Sequence, residues 1–222
     1  MLVAAAVCPH PPLLIPTLAG AAAPELDGLR TACSRAVGAL RDARPDAIVV
    51  VGGAERAGSY GAGAAGGLAP WGADVRVGEG EPVLPLSLTI GRWLLEREGL
   101  AASEFHAVSF DASAATCAGL GVRLAARPGR VAMLVMADGS ACLTEKSPGY
   151  LDPRARRYNA AIVEALAAGE VPALDPGEAA ELWVQGRAAL QVLGGVQGHL
   201  GGEVLYDAAP YGVGYFVVRW TE

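Results

Sequence analysis

The 222-residue chain is long enough to bury one sizeable hydrophobic core, and we predict a single domain over residues 1–222. Its net charge of -6 and its 17 scattered Lys and Arg residues argue against a nucleic-acid-binding surface. Hydrophobic residues make up 52% of the chain, but no apolar stretch reaches the roughly 18–20 residues of a membrane span. We therefore predict a cytoplasmic protein that does not bind membranes.

Apolar, β-rich runs alternate with segments of helical period along the chain. This alternation predicts an α/β fold of three layers, in which a central, mostly parallel sheet is flanked by helices. The predicted strands are 2–8, 47–51, 106–110, 131–136, 203–206 and 213–218. The predicted helices are 22–41, 85–98, 114–126, 153–168 and 177–193. The pair Asp152-Pro153 is a typical helix start, because Asp caps free amides and Pro suits the first turn.

The N-terminal run and the cysteines both indicate a reducing compartment. Residues 1–8 are apolar but have no basic residue before them and meet Pro9 early, which favours a buried strand over a secretion signal. The four cysteines form no C-x-x-C pair, so we predict reduced, buried thiols and no zinc site. They are Cys8, Cys33, Cys117 and Cys142.

The segment 56–80 is rich in Gly and Ala and has few large apolar residues. It predicts a long, mobile loop, which is either a functional lid or a tolerated surface insertion. Trp71 lies in this segment and could close over a pocket. The segment also contains G-x-G-x-x-G at 61–66, but the preceding strand ends about ten residues earlier and no helical pattern follows. A dinucleotide site is therefore not predicted.

His10 follows the first predicted strand directly, in a turn stiffened by three prolines. Ligands of α/β sheets bind at the ends of strands, and prolines fix the backbone direction, so the imidazole suits a metal ligand or an acid/base group. A histidine that only caps the turn is the alternative.

Four further segments bear on function when they are taken together with 8–16, which contains His10. They are 47–54, 138–153, 181–187 and 206–218. In order and separation, these segments resemble the motifs of the class III extradiol dioxygenase (LigB) family. The resemblance covers nearly the whole chain and implies a LigB-like three-layer fold.

The enzymes of that family hold Fe(II) with two histidines and a carboxylate, and a further histidine acts as acid/base near the bound oxygen. By resemblance, His10 matches the first ligand. Ala54 falls at the second ligand, Ala141 at the acid/base histidine, and Gln185 near the third ligand, where the enzymes have Glu and the related Memo proteins have Cys. Three of the four functional positions therefore differ from the family pattern.

This loss of donors predicts that no cofactor is bound, since one imidazole and a neutral amide hold Fe(II) poorly against water. If a metal is bound at all, His10 is its ligand. A rearranged site for Fe(II) or another divalent metal is the alternative. The candidate pocket comprises His10, Ala54, Glu55, Asp138, Ser140, Cys142 and Gln185. Three of these positions also have a purely structural interpretation. Glu55 is typical of a solvated charge, residues 138–140 are typical of a turn, and Cys142 is typical of a small buried side chain.

The resemblance then implies a binding or partner subunit rather than a standard dioxygenase, with a small aromatic molecule as its ligand. A homodimer or a pairing with another LigB-family subunit remains open. The alternative is an active ring-cleaving oxidoreductase that uses the rearranged site, and a Memo-like module would need two strong donors in one cavity.

We assign no role to His106, in a predicted strand, or to His199, in a predicted turn. Gly-x-Ser-x-Gly is absent and no Ser, His and Asp set stands at successive strand ends, so a hydrolase is not predicted.

Overall fold

The structure is a computed structural model that describes residues 1–196 and 200–222, so His199 lies outside the described residues. The strands of the described part are β1 (Leu2–Cys8), β2 (Ala47–Ala54), β3 (Gly58–Gly61), β4 (Gly66–Gly67), β5 (Arg76–Val77), β6 (Glu104–Ser109), β7 (Val131–Met136), β8 (Gly201–Ala208) and β9 (Tyr215–Thr221).

The main sheet is mixed and has seven strands in the spatial order β3-β6-β2-β7-β1-β9-β8. The four strands β6, β2, β7 and β1 run parallel to one another, whereas β3, β9 and β8 pair antiparallel at the two sides. Both β1 and β7 are buried at every residue. Continuous burial is what their unbroken apolar sequences predict for strands covered on both faces.

Helices cover the two faces of the sheet. They are α1 (Pro16–Ala19), α2 (Asp27–Asp42), α3 (Leu86–Arg97), α4 (Ala114–Ala125), α5 (Ala155–Ala167), α6 (Pro176–Glu181) and α7 (Arg187–Gly194). One core lies between the sheet and α2 and α3, and the other lies between the sheet and α4 to α7. The predicted three-layer α/β/α architecture with a mostly parallel, mixed sheet is therefore confirmed.

Two predicted segments differ in the structure. The predicted helix 177–193 is two helices, α6 and α7, because Trp183 adopts a left-handed backbone conformation, with φ of 53°, and ends the first of them. The predicted loop 56–80 contains β3, which pairs with β6, and the small β4–β5 sheet. The sequence of β3, Gly-Ser-Tyr-Gly, lacks the apolar alternation that signals a strand.

Several element boundaries also shift. The predicted helix 22–41 divides into a 3-10 segment, Gly20–Leu26, and α2. The first helical residue after Asp152 is Ala155, and the Asp152 carboxylate accepts a hydrogen bond from the backbone N–H of Arg154 at 2.9 Å. The strand predicted at 47–51 continues to Ala54, so this residue ends β2.

The parallel strands place their carboxyl ends at one edge of the sheet. His10 follows β1, Glu55 follows β2, Phe110 follows β6 and Asp138 follows β7. Ligand sites of open α/β sheets form at this edge. Among the described residues, the structure contains no helix whose length and apolar character would let it cross a membrane.

Candidate functional site

A cleft of about 670 Å³ opens at the carboxyl ends of β1 and β2. Its lining residues are His10, Gly53, Ala54, Glu55, Arg56, Tyr60, Trp71, Pro82, Val83, Leu84, Pro85, Leu86, Ser87, Phe110 and Gln185. A cavity of similar size, about 650 Å³, lies at the opposite edge of the sheet near Val3 and Arg130. We assign the candidate site to the first cleft, because strand carboxyl ends are the usual ligand position and predicted site residues line it.

His10 is buried, with 3% of its surface exposed, and its position is fixed from the neighbouring strand. Its backbone N–H donates a hydrogen bond to Asp138 Oδ1 at 2.7 Å. Its ring atom Nδ1 lies 3.4 Å from the same oxygen, without the alignment of a hydrogen bond. Because β1 and β7 pair in parallel, this contact joins the ends of two adjacent strands.

Asp138 stands behind the imidazole rather than among the residues that line the cleft. Burial raises the pKa of its carboxyl group, and the nearby His10 offsets part of that increase. Through the backbone N–H of His10, this carboxyl group fixes the residue at the end of β1, with its imidazole at the cleft. The pair therefore suits hydrogen bonding to a ligand in the cleft.

Apart from Asp138, the predicted site residues divide into two groups. His10, Ala54, Glu55 and Gln185 line the cleft together. Ser140, Ala141 and Cys142 are buried outside the cleft lining. The Ser140 hydroxyl donates to the carbonyl of Leu182 at 2.7 Å and accepts from the N–H of Cys142 at 3.0 Å, so its contacts hold the chain segments together.

Three aromatic side chains that line the cleft are Tyr60 on β3, Trp71 and Phe110. Trp71 is 41% exposed. The backbone of Gly53 lets one of these rings approach, since a Cβ there would lie 2.7 Å from Phe110 Cε1 and 2.6 Å from the carbonyl oxygen of Gln185. Of the three, only Trp71 could be predicted as a site residue, because it lies in a Gly-rich segment of the sequence.

The donor set of the cleft does not fit the Fe(II) site of the extradiol enzymes. Among its described lining residues, His10 supplies the imidazole and Glu55 the carboxylate, while Ala54 offers no donor and Gln185 only a neutral amide. The described residues contain no group of three or more His, Cys, Asp and Glu side chains placed to hold a metal. The usual set of two histidines and one carboxylate is therefore not assembled around His10.

Gly186 brings the chain before α7 against the end of β7, which places Gln185 at the cleft. A Cβ at Gly186 would lie 2.4 Å from the carbonyl oxygen of Asp138 and 2.7 Å from atoms of Ala137. We expect Gly186→Ala to lower the free energy of unfolding by about 1–3 kcal/mol, the cost of overpacking a close backbone contact. Urea denaturation checks this against Gly61→Ala, whose added Cβ meets nothing within 4 Å. Equal stability of the two variants would contradict the assigned packing.

Comparison with known proteins supports the fold and does not extend to a function. No family model and no curated protein matches the chain. The structure is similar to the crystal structure of the uncharacterized protein JW3007 from Escherichia coli K12, with a TM-score of 0.59 and 14% sequence identity. The similarity covers 98% of this chain and 99% of the other. The fold and site thus define a three-layer, mixed α/β protein with a strand-end cleft.

Proposed function

We propose that the chain is a LigB-like protein that binds a small aromatic ligand in the cleft around His10, without the usual Fe(II) site of the extradiol dioxygenases. It would act as a binding protein or as the partner subunit of a related chain. The observation that carries the proposal is the composition of the cleft. One buried imidazole, backed by Asp138, shares it with three aromatic side chains, and Ala54 stands where the second metal ligand is expected.

The size and lining of the cleft suit such a ligand. A volume of about 670 Å³ lies within the range of roughly 300–1,000 Å³ typical of small-molecule sites. Tyr60, Trp71 and Phe110 offer faces and edges for contact with an aromatic ring. His10 offers a polar group for a ring hydroxyl, and the hydrogen bond from its backbone N–H to Asp138 limits its motion.

Calorimetric titration with catechol tests the proposal. We expect saturable binding to the wild type and a loss of about 10-fold or more in affinity for His10→Ala, since a buried hydrogen-bonding group is removed. The matched control is Tyr150→Ala, which removes an aromatic side chain that is 76% exposed and outside the cleft. A second control is cyclohexane-1,2-diol, which keeps both hydroxyls but has no aromatic face. Absence of saturable catechol binding, or equal affinity in the wild type and His10→Ala, would contradict the proposal.

A rearranged divalent metal site is the second candidate, because Glu55 lines the same cleft as His10. It would make the chain an active oxidoreductase of the aromatic ring-cleaving kind. The test is a titration with Mn²⁺ or Fe(II) under anaerobic conditions. Binding at one equivalent that is lost in both His10→Ala and Glu55→Gln would favour this candidate over the first.

A cytoplasmic location and a paired or homodimeric assembly also belong to the proposal. The cysteines Cys8, Cys33, Cys117 and Cys142 are all buried and free of disulfides. Free buried thiols are typical of proteins in a reducing compartment.

A further inference from the structure

A second cluster of reactive side chains lies on the adjacent strands β3 and β6, outside the residues that line the His10 cleft. Ser59 and His106 are directly opposite each other in the antiparallel ladder. The Ser59 hydroxyl lies 3.1 Å from His106 Nδ1. On the other side of the ring, His106 Nε2 lies 3.0 Å from Glu104 Oε1, although the N–H direction there is not aligned for a hydrogen bond. Glu104 also pairs with Arg127.

The carboxyl group of Glu104 lies beside Nε2 of the imidazole. Burial opposes ionisation of Glu104, but the contacts from His106 and Arg127 outweigh it and lower the pKa of the carboxyl group. The charged carboxylate therefore lies on the Nε2 side of the ring. Nδ1, on the other side, faces the hydroxyl of Ser59. This is the order of a nucleophile, a base and an orienting acid.

The cluster opens into a cavity of its own, of about 340 Å³. Ser59 is an exposed residue and lines this cavity together with His106. Part of the wall is apolar and includes Val108 and Leu120, which suits a short acyl chain. The exposed Arg123 on α4 lines the same cavity and gives it a positive charge.

We propose that Ser59, His106 and Glu104 form a second, hydrolytic site whose substrates are small carboxylic esters. Ser59 Oγ forms a bond to the acyl carbon while its proton passes to His106 Nδ1. The bond between the acyl carbon and the alcohol oxygen breaks, and His106 returns the proton to the departing alcohol. Water then attacks the acyl carbon, its proton passes through His106 to Ser59 Oγ, and a carboxylic acid leaves. Ester and water are the only reactants, so no oxidant or reductant is needed.

The test combines covalent labelling with ester hydrolysis. A fluorophosphonate is expected to label the wild type at one equivalent, on the peptide that contains Ser59. Hydrolysis of p-nitrophenyl acetate is expected to be saturable. Ser59→Ala should abolish the labelling and lower kcat/KM by on the order of 100-fold or more. Ser34→Ala, a half-buried position on α2 outside the cavity, is the matched control and should keep both.

The variant Glu104→Gln tests whether Glu104 positions His106 for the reaction or only supports the fold. It should lower kcat more than it changes KM, because the carboxylate stabilises the protonated imidazole only during the reaction. Folding of each variant is checked by circular dichroism, and Ser59→Ala changes only an exposed hydroxyl. Absence of labelling and of saturable hydrolysis in the wild type would overturn the proposal. Labelling that persists in Ser59→Ala would overturn it as well.

Discussion

The double variant Ala54→His, Gln185→Glu is expected to bind Fe(II) on the order of 100-fold more tightly than the wild type. Both positions line the cleft with His10. The two changes supply an imidazole where the wild type has a methyl group and a charged carboxylate where it has a neutral amide. Two histidines and one carboxylate on one face are a typical set for non-haem Fe(II), so affinity should rise steeply as the set is completed.

Anaerobic titration calorimetry with Fe(II) measures the gain. The single variants Ala54→His and Gln185→Glu are the matched controls, and each should bind more weakly than the double variant because its donor set is still incomplete. If the double variant binds no better than the wild type, Ala54 and Gln185 do not stand in ligand positions around His10. The assignment of these positions by resemblance would then be wrong.

Arg187→Ala is expected to lower the free energy of unfolding by about 2–4 kcal/mol, in the range of large-to-small changes in a core. Arg187 is 1% exposed. Its Nη2 donates to the carbonyl of Phe110 at 2.9 Å and also to that of Ala112, which ties α7 to the segment after β6. Its removal deletes buried packing and leaves both carbonyls without this donor.

Urea denaturation at equilibrium provides the comparison. Arg35→Ala is the matched control, since its side chain is 55% exposed, and we expect it to change stability by no more than about 0.5 kcal/mol. Arg187→Met should lose less stability than Arg187→Ala, because both remove the buried charge but only Met keeps much of the packing. A loss for Arg187→Ala as small as that for Arg35→Ala would contradict the structural role assigned to Arg187.

Much of the fold follows from the apolar pattern of the chain. β1 and β7 have the predicted bounds because each is an unbroken apolar run buried on both faces. β3 could not be predicted, since its Gly-Ser-Tyr-Gly sequence is defined by pairing with β6 and not by its own hydrophobicity. The break between α6 and α7 depends on the left-handed backbone of Trp183, which a Trp side chain does not signal.

The position of His10 could be predicted because it follows a predicted strand directly. Ala54 was assigned by resemblance and lies three residues beyond the predicted strand 47–51, and the structure brings both residues into one cleft with Glu55 and Gln185. Phe110 was missed as a site residue, because its approach depends on the missing side chain of Gly53. The single-domain prediction for residues 1–222 stays a prediction.

The Ser59 cluster was also missed, for a different reason. Residues that follow successive strands can be recognised in a sequence, whereas residues that meet across a pair of strands cannot. Ser59 and His106 are 47 positions apart in the chain and meet only because β3 pairs with β6. Glu104 and His106 share one face of β6, since residues two apart on a strand point the same way.

Anaerobic titration of the wild-type protein with Fe(II) shows whether the cleft around His10 is a metal site. We expect no stoichiometric binding at micromolar Fe(II), because one imidazole and the carboxylate of Glu55 leave the ligand set incomplete. Binding of one equivalent with micromolar or tighter affinity, abolished in His10→Ala, would contradict this expectation.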